Sequence, residues 1–249
     1  MRSEGWARRR RRNLSHMATA ERSPRQRCDP LTCGVIAGPL FAGAFTAIGA
    51  TRDGYDWQRF PVSSLAIGRR GWLQRANFVV AGGLYACAAR GLARCPERRV
   101  GPRAVPVLVA GVGIGLVGSG VFVTDPVGGF PPRTPDENGS HDPDTTGTAP
   151  TREGLLHNLC AVPIFVGIPI AGLASAATAV RSGDYRWACY SAGSSLMMVA
   201  SFVIFGRASG GVSGLAGKGG IFQRISIASG FGWLTVLSLR ARSSLPVLE

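Results

Sequence analysis

The stretch FPVSSLAIGRRGWLQRANF, residues 60–78, passes from a polar loop with Gly68, Arg69 and Arg70 into a segment that stays apolar to about Arg90. Its centre is Gly71, Trp72, Leu73, Gln74, Arg75: a glycine, two apolar residues, then two polar ones. The same order returns at Gly154, Leu155, Leu156, His157, Asn158 and at Gly220, Ile221, Phe222, Gln223, Arg224. Each copy opens a long apolar run. The first and third also share a glycine three positions earlier, Gly68 and Gly217. Three copies at equivalent junctions predict a repeated, all-α architecture: a polytopic membrane bundle of six transmembrane helices, built as three repeated helical hairpins.

Working outward, the apolar residues fall into runs near 31–50, 72–93, 104–124, 155–180, 187–206 and 220–239. A helix rising ~1.5 Å per residue crosses a hydrocarbon core of ~30 Å in about 20 residues. These runs therefore predict a six-helix transmembrane domain over 31–239. A disordered basic cytoplasmic tail, 1–30, precedes it, and a short cytoplasmic tail, 240–249, follows. Pro163 and Pro169 predict a kink in the fourth span, since proline removes a backbone donor and crowds the preceding turn. The third span carries Gly111, Gly113, Gly115, Gly118 and Gly120, the small residues that let membrane helices approach closely. Between the third and fourth spans lies the single long loop, rich in Pro, Gly, Asp and Thr and net acidic.

The chain carries 28 Lys and Arg against 14 Asp and Glu, a net charge of +14. The mean hydropathy of only +0.15 reflects dilution of the apolar runs by basic ends and one polar loop. The excess charge sits in tails and short loops beside apolar runs, which argues for membrane topology and against nucleic-acid binding. Nine arginines lie in residues 1–30, five of them consecutive from Arg8 to Arg12. No apolar core follows them directly, so they do not form a signal peptide; Met17 offers an alternative start. With six spans, the positive-inside rule places both termini in the cytoplasm. Arg52, Arg59, Arg69 and Arg70 then fall in the first outer loop, against the rule, and ask for a separate explanation. Six cysteines lack zinc-ligand spacing and are expected to remain thiols.

Under this topology all three copies of the opening pattern face outward. Gln74, His157 and Gln223 sit about a turn inside the membrane, with Arg75 and Arg224 beside them. An arginine at bilayer depth costs roughly 2.5–3.5 kcal/mol on insertion scales, so near a helix end it reaches the interface or pairs. Asp125, at the end of the third span, faces the unfavourable end of the helix dipole, a placement worth about 0.3–1 kcal/mol. Arg75 or Arg224 is the expected partner. A metal reading would use Asp125 and His157, with His141, Asp142 and Asp144 in the long loop, but the spacing matches no metal motif and no cofactor is indicated. Ser63 or Ser64 with His157 and Asp125 has the composition of a nucleophilic site without its spacing.

Pro61 to Leu65 with Gly71 to Gln74, Thr124-Asp125-Pro126, Leu156-His157-Asn158 and Phe222-Gln223-Arg224 resemble, in order, the domain-of-unknown-function 998 family of bacterial integral membrane proteins. The resemblance runs from about Leu31 to Leu239. It implies several membrane spans in the inner membrane and brings no activity, cofactor or catalytic residue. The expectation is therefore a multi-pass membrane protein whose Gln74, Arg75, Asp125, His157, Gln223 and Arg224 contact an anionic small molecule or lipid headgroup. The alternatives are a membrane-embedded, metal-dependent hydrolase and an accessory protein that packs against a membrane partner.

Overall fold

The computed structural model describes residues 29–127, 129–130, 149–211 and 214–243. Among them the chain is helical, with one isolated bridge between Val127 and Phe130. Six long helices follow one another: α1 Pro30–Ala50, α2 Trp72–Leu92, α3 Ala104–Val121, α4 Arg152–Arg181, α5 Tyr185–Ser209 and α6 Gly219–Arg242. A 3-10 turn, Val62–Ala66, lies in the α1–α2 connection, and a single helical turn, Glu97–Val100, in the α2–α3 connection.

The helix starts follow from local chemistry. Asp29 accepts the Leu31 amide and Pro30 takes the first helical position, where its missing N–H costs nothing. Thr151 accepts the Gly154 amide ahead of α4, and Asp184 accepts the Trp187 amide ahead of α5. Within α4 the proline prediction is met. Pro163–Gly167 forms a π-helical segment between the α-helical halves Arg152–Val162 and Ile168–Arg181. Pro163 supplies no amide to the preceding turn, and the ladder re-registers around the gap.

Each helix packs on its sequence neighbours, and α6 returns to pack on α1, closing a ring. Phe41 of α1 anchors the interior, with rings 5.3 Å from both Phe78 of α2 and Phe231 of α6. The glycines of α3 serve this ring rather than an external surface. A Cβ on Gly113 would press into the backbone of α2, and one on Gly118 would collide with Cys160 of α4.

Four helices, α1, α3, α4 and α5, are long and apolar enough to cross a membrane. The chain is a membrane protein on this evidence. α2 and α6 fall outside that group although they have 21 and 24 residues. Their polar residues turn inward: Gln74 and Asn77 on α2, and Gln223, Ser226 and Ser238 on α6, are buried. Polar residues that face the bundle interior are kept from lipid, so the composition of these two helices need not be uniformly apolar.

The expected boundaries shift at several ends. α3 stops at Val121, where Phe122 turns extended, three residues before the predicted end. α4, α5 and α6 run slightly longer than their apolar cores, because polar first and last turns cap a helix without adding hydropathy. At the end of the ring bearing the chain termini, Arg240 pairs with Asp184 at 2.7 Å and Arg242 with Asp29 at 2.9 Å. These tie the last turn of α6 to the starts of α5 and α1. Arg240 also lies over the Trp187 ring at 4.9 Å. Cys87, Cys95, Cys160 and Cys189 are free thiols.

Candidate functional site

At the opposite end, the mouth, the three copies of the opening pattern play parallel parts. Gln74, His157 and Gln223 are 0%, 5% and 5% exposed, each on an alternate helix of the ring. The glycine three positions earlier is pressed against a neighbouring loop in every case. A Cβ would collide with the Ala66 carbonyl at Gly71, with the Asp125 carboxylate at Gly154, and with the Trp57 and Phe60 carbonyls at Gly220. The glycines admit the loop, and the polar residue one turn on points inward.

The polar partners differ from copy to copy. Gln74 Oε1 accepts from Asn77 Nδ2 at 3.3 Å, and Asn77 also donates to the Phe41 carbonyl at 3.1 Å. Gln74 Nε2 has no partner among the described residues. Gln223 Oε1 accepts the Val62 amide at 2.7 Å, pinning the α1–α2 loop over the mouth. His157 Nδ1 lies 2.9 Å from the Phe122 carbonyl. Because a carbonyl only accepts, this bond puts the proton on Nδ1.

The two arginines serve the backbone. Arg75 donates from Nε to the Gly120 carbonyl at 2.9 Å and from an Nη to that of Val121 at 3.2 Å. With His157 on Phe122, it satisfies carbonyls that the end of α3 leaves unpaired. Arg224 donates to the carbonyls of Trp57 at 2.7 Å, Phe60 at 3.2 Å and Gly220 at 3.0 Å, and to the Tyr55 hydroxyl at 2.7 Å. It also lies over the Phe45 and Tyr55 rings at 5.6 and 5.7 Å. Burial pushes the Tyr55 phenol above its ordinary value, against the opposing pull of Arg224.

Asp125 does not pair with either arginine, contrary to expectation; the ion pairs among the described residues lie elsewhere. Its carboxylate accepts the amide and the hydroxyl of Thr151, the residue capping α4. The physical reason is the start of α4. The carboxylate leaves the unfavourable end of one helix for the favourable end of the next, where amides and dipole both suit a negative charge. The long loop between α3 and α4 brings the two ends together, and no periodicity in the sequence encodes that.

The six predicted residues thus form two groups at the mouth. Arg75, His157 and Asp125 gather around the end of α3, and Gln223 and Arg224 hold the α1–α2 loop, with Gln74 buried between helices. Between the groups lies a cavity of about 130 Å³. Phe41, Phe78, Ile164, Ile227 and Phe231 form its apolar wall, while Ser63, Ser119, Thr124, His157, Asn158 and Gln223 supply its polar end. Among the described residues no arginine lines it. Ser119, 2% exposed, has a hydroxyl without a partner among the described residues. Ser119, Thr124 and Asn158 went unrecognised as site residues because single small polar residues carry no spacing signal. The tetrad Tyr55, Phe60, Phe130 and Arg52 closes the roof, with Phe60 and Phe130 rings 5.1 Å apart and the Arg52 guanidinium 5.8 Å from Phe130. Arg52 and Arg70, unwelcome by the topology rule, also brace this loop through the Ile67 and Thr51 carbonyls.

No group of three or more His, Cys, Asp or Glu that could hold a metal occurs among the described residues. His141, Asp142 and Asp144 lie outside them.

Fold and site define a polytopic helical membrane protein with a roofed cavity at one end of its bundle. A family model described as "Protein of unknown function (DUF998)" matches residues 35–240, and the chain belongs to that family. Comparison with curated proteins and with solved structures returned no match.

Proposed function

We propose that this chain is a six-span protein of a bacterial inner membrane, with both termini cytoplasmic, that binds a small neutral, polar-ended molecule in its mouth cavity. The observation that carries the binding reading is the cavity's lining: aromatic and aliphatic walls, a cluster of neutral hydrogen-bonding groups at one end, and no cation among the described residues. Concave, mostly apolar pockets with a few convergent polar groups are the usual form of small-molecule sites. Ser119 Oγ is buried against the cavity and has no partner among the described residues, a costly arrangement that a ligand would relieve.

An anionic ligand gripped by Arg75 and Arg224 finds less support, because the donors of both are engaged with backbone carbonyls and the Tyr55 hydroxyl. The hydrolase reading weakens in the same way, since Asp125 is occupied by Thr151 and His157 Nδ1 by Phe122. The accessory-protein reading rested on glycine faces, and Gly113 and Gly118 are packed closely against α2 and α4. Threefold hairpin repetition is supported by the shared burial of Gln74, His157 and Gln223 and by the shared crowding of their glycines.

The test is thermal unfolding of the purified protein with glycerol monobutyrate, a water-soluble neutral ester, and with inorganic phosphate. The monobutyrate is expected to raise the midpoint, and Ser119→Val to weaken that response. A phosphate response that requires Arg75, with none to the ester, would overturn the neutral reading. For topology, cysteine placed at Asp53 should react with an impermeant maleimide in intact cells; labelling only after lysis would reverse the orientation.

A further inference from the structure

We infer that the mouth cavity opens sideways into the bilayer, through the seam between the outer half of α4 and α5, and that its ligand is a single-chain membrane amphiphile. On this inference, which rests on the binding reading above, the neutral head enters the cavity and the chain leaves through the seam into the outer leaflet.

The seam comes from the break in α4. The half below it, Ile168–Arg181, packs on α5, whereas the half above, Arg152–Val162, packs on α3 and not appreciably on α5. The π-helical segment between them is where the two directions part. Phe165 of that segment stacks on Phe202 of α5 at 4.0 Å, and Phe205 follows Phe202 at 5.7 Å. The three rings make an aromatic sill, and above it the helices stand apart.

Three further observations point the same way. Most of the cavity's lining is buried; of the seven lining residues that keep exposure, Asn158, Ala161, Phe165, Phe202 and Phe205 belong to this seam, while Ser63 and Val127 lie in the loops at the mouth. The roof is tied at several points: Gln223 on Val62, Arg224 on the Trp57 and Phe60 carbonyls and on Tyr55, and the tilted rings of Phe60 and Phe130 in contact, 7% and 1% exposed. Access from water is therefore the harder route. Finally, Asn158 is exposed on the outer half of α4, six residues and about 9 Å past Arg152. Its amide makes no hydrogen bond among the described residues. An unpaired amide at the hydrocarbon edge is unfavourable, and a hydroxyl or ester head at the seam would satisfy it.

Size decides how much of the ligand lies inside. A cavity of ~150 Å³ holds one benzene. At about 130 Å³, this one holds a head of comparable size and leaves a chain outside.

The experiment uses the full chain in lipid nanodiscs with a monoacylglycerol carrying a diazirine in mid-chain. Photolysis should label α4 between Asn158 and Phe165 and α5 at Phe202 and Phe205. Ala161→Trp, which fills the seam, should lose that label, while Leu159→Trp, on the lipid-facing side of the same helix, keeps it. Should Ala161→Trp fail to fold, Ala161→Met narrows the same seam. Label spread evenly round the ring, or unchanged by filling the seam, while glycerol monobutyrate still stabilises the protein, would overturn the sideways route and leave the binding reading standing. Absence of stabilisation by either compound in the unmodified chain would remove both.

Discussion

Arg224→Ala and Arg75→Ala should not behave alike. The two arginines occupy matching places in the opening pattern, and a shared ligand-binding role would make their loss equivalent. The structure instead gives Arg224 four hydrogen bonds and two ring contacts, and Arg75 two hydrogen bonds. Of the four, the Gly220 bond lies within its own helix and the Trp57 bond is exposed, so water can replace them. The part-buried bonds to Phe60 and Tyr55 remain. At the lower end of the range for bonds involving charged groups, about 1.5 kcal/mol each, their loss costs about 3 kcal/mol. For a domain of this size that corresponds to roughly a 6–12 °C fall in midpoint. Arg75 lies at the surface, and water or a lipid headgroup can cover the end of α3, so its loss should cost about 1 kcal/mol or less. The assay is thermal unfolding in detergent followed by size exclusion, with limited proteolysis of the α1–α2 loop as a second readout. Arg224→Ala should expose cleavage between residues 52 and 70 before global unfolding. Equal destabilisation by the two variants, or stability unchanged in both while ligand response disappears, would refute the structural assignment.

Two other outcomes follow from specific contacts. Gly154→Ala drives a methyl into the Asp125 carboxylate and should cost about 1–3 kcal/mol through overpacking, whereas Gly83→Ala, with open space around it, should be neutral or mildly stabilising in the same unfolding assay. Asp184 is held below the ordinary carboxylate range by the Trp187 amide first and by Arg240 second. A depressed folded value means the contribution is complete above the unfolded carboxylate value, near pH 4, and fades as pH falls through the folded value. Asp184→Asn should therefore lower the midpoint at neutral pH, with the gap to the parent narrowing on acidification. A gap that stays constant with pH would show that the pair with Arg240 contributes nothing.

Much of the site was legible in sequence because burial of a polar residue at a fixed offset from a crowded glycine leaves a pattern. Gln74, His157 and Gln223 were found by that offset, and all three are buried at the mouth. Their chemistry was not legible. The decisive partners are far away in the chain: Gln223 meets Val62, 161 residues off, and Arg224 meets Tyr55, 169 residues off. Charge alone suggested pairing Asp125 with an arginine, yet a helix start brought within reach by the long loop offers two donors and a favourable dipole at once.

The sequence by itself determined the class. Apolar runs of membrane length, prolines in the fourth, and small residues in the third are local properties, and hydrocarbon demands them wherever the helices finally sit. Tertiary structure alone decided which helices could carry polar residues inward, where the arginines' donors are spent, and that a cavity exists. A cavity is the space several helices fail to fill, and the break in α4 leaves it by leaning one half toward α3 and the other toward α5. No single segment encodes that space.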